Sequence, residues 1–165
     1  MAELTPIEKL QPCLLDRLTD DEPDKREESR VQRLVSLQKY RRGVLRDLEW
    51  LFNASAWIRL EDGSSELDDY PEAMRSVINY GIRQLCGIAA PNMERLQEEL
   101  AQALAVFEPR LTARNLAIRA DMDHNVVSFD IEGELWANPL PEHLHLKTSV
   151  DLESGQCLFG DSAYG

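Results

Sequence analysis

The feature that most constrains this chain is a change of period at Pro109. From Met93 to Phe107, the residues Met93, Leu96, Leu100, Ala103, Leu104 and Phe107 recur at three- and four-residue steps. That spacing lays them along one helical stripe. Asn92 stands where an N-cap belongs, and Glu94 falls in the first turn, where the helix dipole favours a negative charge. Pro109 has no N–H to donate and pushes Glu108 out of the α region, so the helix is predicted to stop near Phe107. Beyond Arg110 the step drops to two, the period of a strand.

Three alternating runs come next. Leu116, Ile118, Ala120 and Met122 alternate with Ala117, Arg119 and Asp121, and Asp123-His124-Asn125 reads as a hairpin turn. Val127, Phe129, Ile131, Gly133 and Leu135 then alternate with Ser128, Asp130, Glu132 and Glu134. Asn138-Pro139-Leu140-Pro141 is a loop, since two prolines do not fit a ladder. Leu144, Leu146, Thr148, Val150 and Leu152 alternate with His143, His145, Lys147, Ser149 and Asp151. Glu153-Ser154-Gly155 turns into a last short strand, Gln156 to Phe159. An antiparallel meander with one apolar face needs a covering layer.

That layer has to come from upstream. Ser29 can cap a long helix running to about Phe52, with Val31, Leu34, Val35, Leu37, Val44, Leu45, Leu48, Leu51 and Phe52 on its apolar face. Gly43 and the run Lys39-Tyr40-Arg41-Arg42 weaken its middle and are expected to kink it. With Arg46 that run forms a basic patch, open to reading as a solvated helix face or as a seat for an acidic partner. Tyr70-Pro71 opens a second helix with Met74, Val77 and Ile78 as apolar members, and Gly81 closes it. Leu85 and Ile88 provide packing in the connector, and Gly87 a turn. The expected fold class is α+β, about three N-terminal helices packed on one face of a C-terminal antiparallel β-meander. Residues 29–160 are read as one domain, residues 1–28 as a mobile segment and residues 161–165 as a tail.

Within the N-terminal segment, Cys13-Leu14-Leu15-Asp16-Arg17-Leu18 is an apolar island too short for a stable helix alone. An acidic run, Thr19-Asp20-Asp21-Glu22-Pro23-Asp24, comes after it. Leu14, Leu15 and Leu18 either fold back onto the domain or dock in a partner's groove, and the residues leave both readings open.

Composition narrows the function. Eighteen Lys and Arg stand against 30 Asp and Glu, a formal net charge of −12, which argues against nucleic-acid binding. The chain holds no apolar run near the ~20 residues that span a bilayer. Its first residues lack the regions of a signal peptide, so a cytoplasmic protein without direct membrane insertion is expected. Cys13, Cys86 and Cys157 form no CxxC pair and are read as reduced thiols.

No recognisable catalytic motif is present, and no cofactor is expected. Glu132 and Glu134 share a strand face, but i and i+2 neighbours sit roughly 7 Å apart pointing the same way and cannot flank a scissile bond. His143 and His145, with His124 and Asp151 as further candidates, form too thin a set for a metal. Two features remain. The Glu108-Pro109-Arg110 corner is either a helix stop with a local salt bridge or a rigid charged knuckle that a partner grips. The meander has a free edge, and Gln156-Cys157-Leu158-Phe159 carries few guards against strand addition. Gln156 and Leu158 are therefore candidate partner-binding residues.

Five pieces of the chain together carry a family likeness: Leu14-Leu15-Asp16-Arg17-Leu18 with its acidic run, Val44 to Leu51, Tyr70-Pro71-Glu72 through Asn79-Tyr80-Gly81, Phe107-Glu108-Pro109-Arg110, and Gly133-Glu134-Leu135-Trp136-Ala137 through Val150-Asp151-Leu152. The chain resembles the TssE family of type VI secretion baseplate subunits. These are grouped with the small wedge proteins of contractile phage tail baseplates and often labelled "lysozyme-like". The resemblance implies a non-catalytic assembly protein that joins the wedge with TssF and TssG, near TssK, on the cytoplasmic face of the inner membrane. It also implies that the first TssB–TssC sheath ring grows from the sheet by strand pairing, and that Glu108, Pro109 and Arg110 hold the wedge core together. The rival expectations are a cell-wall muramidase using Glu132 or Glu134, and a soluble regulator of a single partner.

Overall fold

The computed structural model describes residues 13–19, 37–57, 65–83, 85–86, 88, 91–136 and 141–159. Helices occupy the N-terminal half and a four-stranded antiparallel sheet the C-terminal part, an α+β fold. The helices are α1 (Leu14–Leu18), α2 (Leu37–Asn53), α3 (Pro71–Met74) and α4 (Met93–Phe107); the strands are β1 (Ala117–Asp123), β2 (Val126–Leu135), β3 (Glu142–Asp151) and β4 (Cys157–Phe159). The sheet order β1-β2-β3-β4 is that of a simple meander.

The change of period at Pro109 governs the architecture as the sequence predicts. The Asn92 side chain accepts the Arg95 N–H at 3.0 Å and caps α4, which ends at Phe107. Leu96, Leu100 and Leu104 are buried along it. In the sheet, register pairs Val127 with Val150, Ile131 with Leu146 and Gly133 with Leu144. The expected inward residues of β2 and β3 are buried. They meet Val44, Leu48, Leu51 and Phe52 of α2 in one core, with α4 lying over β1 and α2 over β4. Phe52 stacks edge-on to Phe129 and to Phe159, with ring centroids 6.5 and 5.4 Å away.

Three expectations change. α2 runs through Gly43 without interruption, so glycine and the basic run do not break it; the expected start at Ser29 lies outside the described residues. The helix expected from Pro71 to Tyr80 is a single α-turn with Pro71 at its first position, then a 3₁₀ turn at Val77–Asn79. Ser76 divides them: its hydroxyl donates to the Ala73 carbonyl at 2.8 Å and accepts the Ile78 N–H at 3.3 Å, bonds that compete with the helix ladder. Val77 and Ile78 are consequently exposed, not core. Gly81 does more than end this stretch. It has φ +128°, and a Cβ there would meet the Ala54 carbonyl oxygen at 2.4 Å. The close approach lets Ile82 exchange main-chain hydrogen bonds with Ala54 and Ala56, both 3.0 Å.

The apolar island is helical despite its length. Cys13 caps it, its sulfur accepting the Asp16 N–H at 3.5 Å. The turn at Gly87, the loop from Asn138 to Leu140 and the boundaries at residues 28 and 160 lie outside the described residues. All three cysteines are free thiols.

Candidate functional site

The corner after α4 is built from both directions. The Glu108 N–H still donates to the Leu104 carbonyl at 2.9 Å; Glu108 then leaves the helical region (φ −127°, ψ 68°), and the Leu111 N–H donates back to its carbonyl at 3.0 Å, closing a tight turn. Pro109 is exposed and has no N–H to satisfy. Residues 110–112 next lie against the end of β2. The Trp136 N–H donates to the Arg110 carbonyl at 2.7 Å, and the Thr112 N–H to the Glu134 carbonyl at 2.8 Å. The Tyr40 hydroxyl of α2 donates to the Trp136 carbonyl at 2.9 Å, so three elements converge here.

Glu108 is buried, only 3% exposed. The i and i+2 positions across Pro109 bring its carboxylate under the Arg110 guanidinium. Arg110 donates from Nε to Glu108 Oε1 at 2.5 Å and from Nη2 to Oε2. This fork is the geometry that suits arginine and carboxylate best. Arg110 Nη2 also donates to Asp47 Oδ2 of α2 at 2.7 Å. The sequence reading misses Asp47, which is 63 residues away from Arg110. Its one signal is position: an acid three residues after Val44 and four before Leu51, on the margin of the apolar stripe.

From Asp47 the charges continue in single file. Arg46 donates from Nε and Nη2 to Asp47 Oδ1 at 3.0 and 2.8 Å, and from Nη1 to Asp16 Oδ1 of α1 at 2.6 Å. Cys13 donates its thiol to Asp16 Oδ2 at 3.0 Å. Glu108, Arg110, Asp47, Arg46 and Asp16 thus alternate in sign from the end of α4, across α2, to α1. The hydrogen bonds that Arg46 donates to Asp16 and then to Asp47 hold its pKa above the usual range. For Arg110 burial works the other way, but the hydrogen bonds and charges of Glu108 and Asp47 outweigh it and raise the pKa. Burial likewise opposes ionisation of Asp16, and the bonds from Cys13 and Arg46 prevail, holding its carboxyl below the ordinary range. Much of the basic patch is engaged within the molecule: Arg46 here, and Arg41 on Glu142 at 3.5 Å.

The leucines of the island face outward. Leu14 is 70% exposed, Leu15 40% and Leu18 75%. Gln156, just before β4, and Leu158, within it, are also exposed. That edge has a guard which the sequence does not reveal. The Asn53 side chain accepts the Cys157 N–H at 3.0 Å and donates to the Cys157 carbonyl at 3.3 Å. An amide at the end of α2 therefore occupies the position of a neighbouring strand. Cys157 itself is buried, and burial pushes its thiol up to about 12.

The four residues weighed as a thin metal set, His124, His143, His145 and Asp151, do not come together on the polar face of the sheet. His124 sits in the hairpin turn beside Asp123 (2.6 Å), and Asp151 accepts the Glu153 and Ser154 N–H groups, both at 2.8 Å. His145 lies 2.6 Å from Asp130 and opposite Glu132; the ligand atoms of these three fall within 4.8 Å of one another. Lys147 also approaches Asp130, at 3.9 Å. Cross-strand charge pairing accounts for this group. Glu132 and Glu134 face His145 and His143 across the ladder, side by side along one strand.

The family model described as baseplate wedge protein gp25 matches residues 38–140. The match takes in Asp47, Glu108, Pro109, Arg110 and the first two strands. No curated protein and no solved structure matches the chain.

Proposed function

Because this chain belongs to the baseplate wedge protein gp25 family, a family of structural baseplate components, we propose that it is a non-catalytic subunit of a type VI secretion baseplate wedge. It joins the wedge proteins TssF and TssG, near TssK, at the cytoplasmic face of the inner membrane. Its sheet templates the first TssB–TssC sheath ring by strand pairing. Partner contacts run through the Glu108-Pro109-Arg110 corner, through Leu14, Leu15 and Leu18, and through Gln156 and Leu158 at the sheet edge, where strand addition requires Asn53 to release the Cys157 backbone. Among the described residues, no helix is long and apolar enough to cross a membrane.

The observation that carries this reading is the family match taken together with the corner it contains. A buried Glu108 locked by Arg110 gives a rigid, exposed Pro109 where helix becomes strand. Within the corner Glu108 is structural, since both its oxygens are committed to Arg110, and the gripping surface is what that pair holds in place.

The test replaces Glu108 and Arg110 together with Ala in cells carrying the neighbouring genes. The expected result is a folded protein that no longer copurifies with TssF and TssG and no longer supports sheath assembly seen by fluorescence. Normal sheath growth would remove the corner from the assembly contacts.

A further inference from the structure

α1 is attached the wrong way round for a helix that serves only to complete the core. Amphipathic helices dock by their apolar side and leave charge in water. Here the polar side docks: Asp16 on Arg46, and the Cys13 sulfur within 3.5 Å of Arg46 Nη2. Leu14, Leu15 and Leu18 are left outside. Gly43 makes the seat, since a Cβ there would lie 3.1 Å from Asp16 Oδ2. The seat is also wired to the corner, because Arg46 shares Asp47 with Arg110. A loose tail that found its partner by chance would need none of these links.

We infer that α1 is a pre-positioned docking peg, held by its polar face so that its three leucines and the Glu108–Arg110 corner form one composite surface. The occupant is a wedge partner with an apolar groove whose rim is basic. The groove is required by the leucines. The basic rim is required by the acidic run directly after them, Thr19-Asp20-Asp21-Glu22-Pro23-Asp24, on a chain of net charge −12. Holding the peg in its bound pose lowers the ordering cost that a free segment meets on binding. The inference rests on the adaptor reading above and deepens it by joining two of its contacts into one.

The experiment measures binding of the full chain to purified TssF–TssG complex, with amide hydrogen exchange over residues 13–19 in parallel. One variant is Leu14→Ser, Leu15→Ser and Leu18→Ser combined, which alters only exposed side chains. The other is Gly43→Leu, which fills the seat while leaving every charge in place and suits a helix better than glycine. Both are expected to remain folded by circular dichroism and to bind at least about tenfold more weakly, and Gly43→Leu to speed exchange over residues 13–19. Undiminished binding by the triple serine variant would overturn the peg. Undiminished binding by Gly43→Leu with fast exchange would overturn its pre-positioning. Loss of self-association alone, seen by light scattering, would assign the leucines to a second copy of this chain and overturn the wedge partner. If the unaltered chain fails to bind TssF–TssG, the adaptor reading falls first and takes the peg with it, a result distinguishable before any variant is made.

Discussion

Two kinds of seam hold this protein together, and they are built on opposite principles. The apolar layer joins α2 and α4 to the sheet through many side chains, among them Leu48, Leu51, Leu100, Leu104, Ile131 and Leu146. Its attraction is non-directional and shared among many neighbours. The charged seam joins the helices to each other through Glu108, Arg110, Asp47, Arg46 and Asp16. It is single file, and each link serves named partners at fixed angles. The first seam explains why the chain folds. The second explains why α1 and the corner sit where they do. Buried ion pairs are a weak source of net stability, yet costly to break from one side. The seam is therefore better read as a device for position than as a store of free energy.

The largest test of that contrast is Arg110→Ala. It leaves the Glu108 carboxylate buried without its partner and is expected to cost about 3–5 kcal/mol in urea denaturation. Replacing both members by apolar groups of similar size, Glu108→Leu with Arg110→Met, is expected to restore most of that loss, since nothing charged is then stranded. If the double variant is as unstable as the single, the pair contributes net stability and the contrast between the seams dissolves.

A smaller effect is expected at the sheet edge. Asn53→Ala removes the amide that holds both main-chain groups of Cys157, at a cost of about 1 kcal/mol. Amide exchange at Cys157 should accelerate more than at Val127, in the middle of the sheet. Equal acceleration at both would mean that β4 opens only with the whole domain.

The smallest effect concerns acid. The folded-state pKa of Asp16 is held below its ordinary value of 3.8. Its contribution is therefore complete above that value and lost as pH falls through the folded pKa. Protection of α1 amides is expected to stay level from neutral pH down to about 4 and to decline only below it. A decline between about pH 5 and 7 would place the controlling group outside the Asp16–Arg46 link.

The sequence makes the fold legible where a pattern is periodic and local. α4 and the three longer strands come from spacing, one cap and one proline, because burial of a stripe or a sheet face writes itself into every second or third residue. The 71–80 stretch misleads for the complementary reason. Its apolar residues fit a helical period, but Ser76 offers the backbone competing bonds and Gly81 is needed for a close approach to Ala54. The Glu108–Arg110 pair is legible because both members flank the same proline. Its extension to Asp47 and its burial are not, since nothing in the neighbourhood of residue 47 names a partner 63 residues away. The outward pose of the leucines is equally hidden: it depends on which side of α1 docks, and the composition of the island permits either.

Asn53 has a consequence for how the chain comes off the ribosome. The clasp on β4 is contributed by a residue synthesised 104 positions before the strand it holds. Until Cys157 emerges, the amide of Asn53 has no strand to grip; until α2 is seated, the last strand has no clasp. Closure of the sheet margin is thus a report that the first long helix and the end of the chain have both arrived. A chain that stops short of Cys157 leaves both hydrogen-bonding groups of the Asn53 amide without that strand.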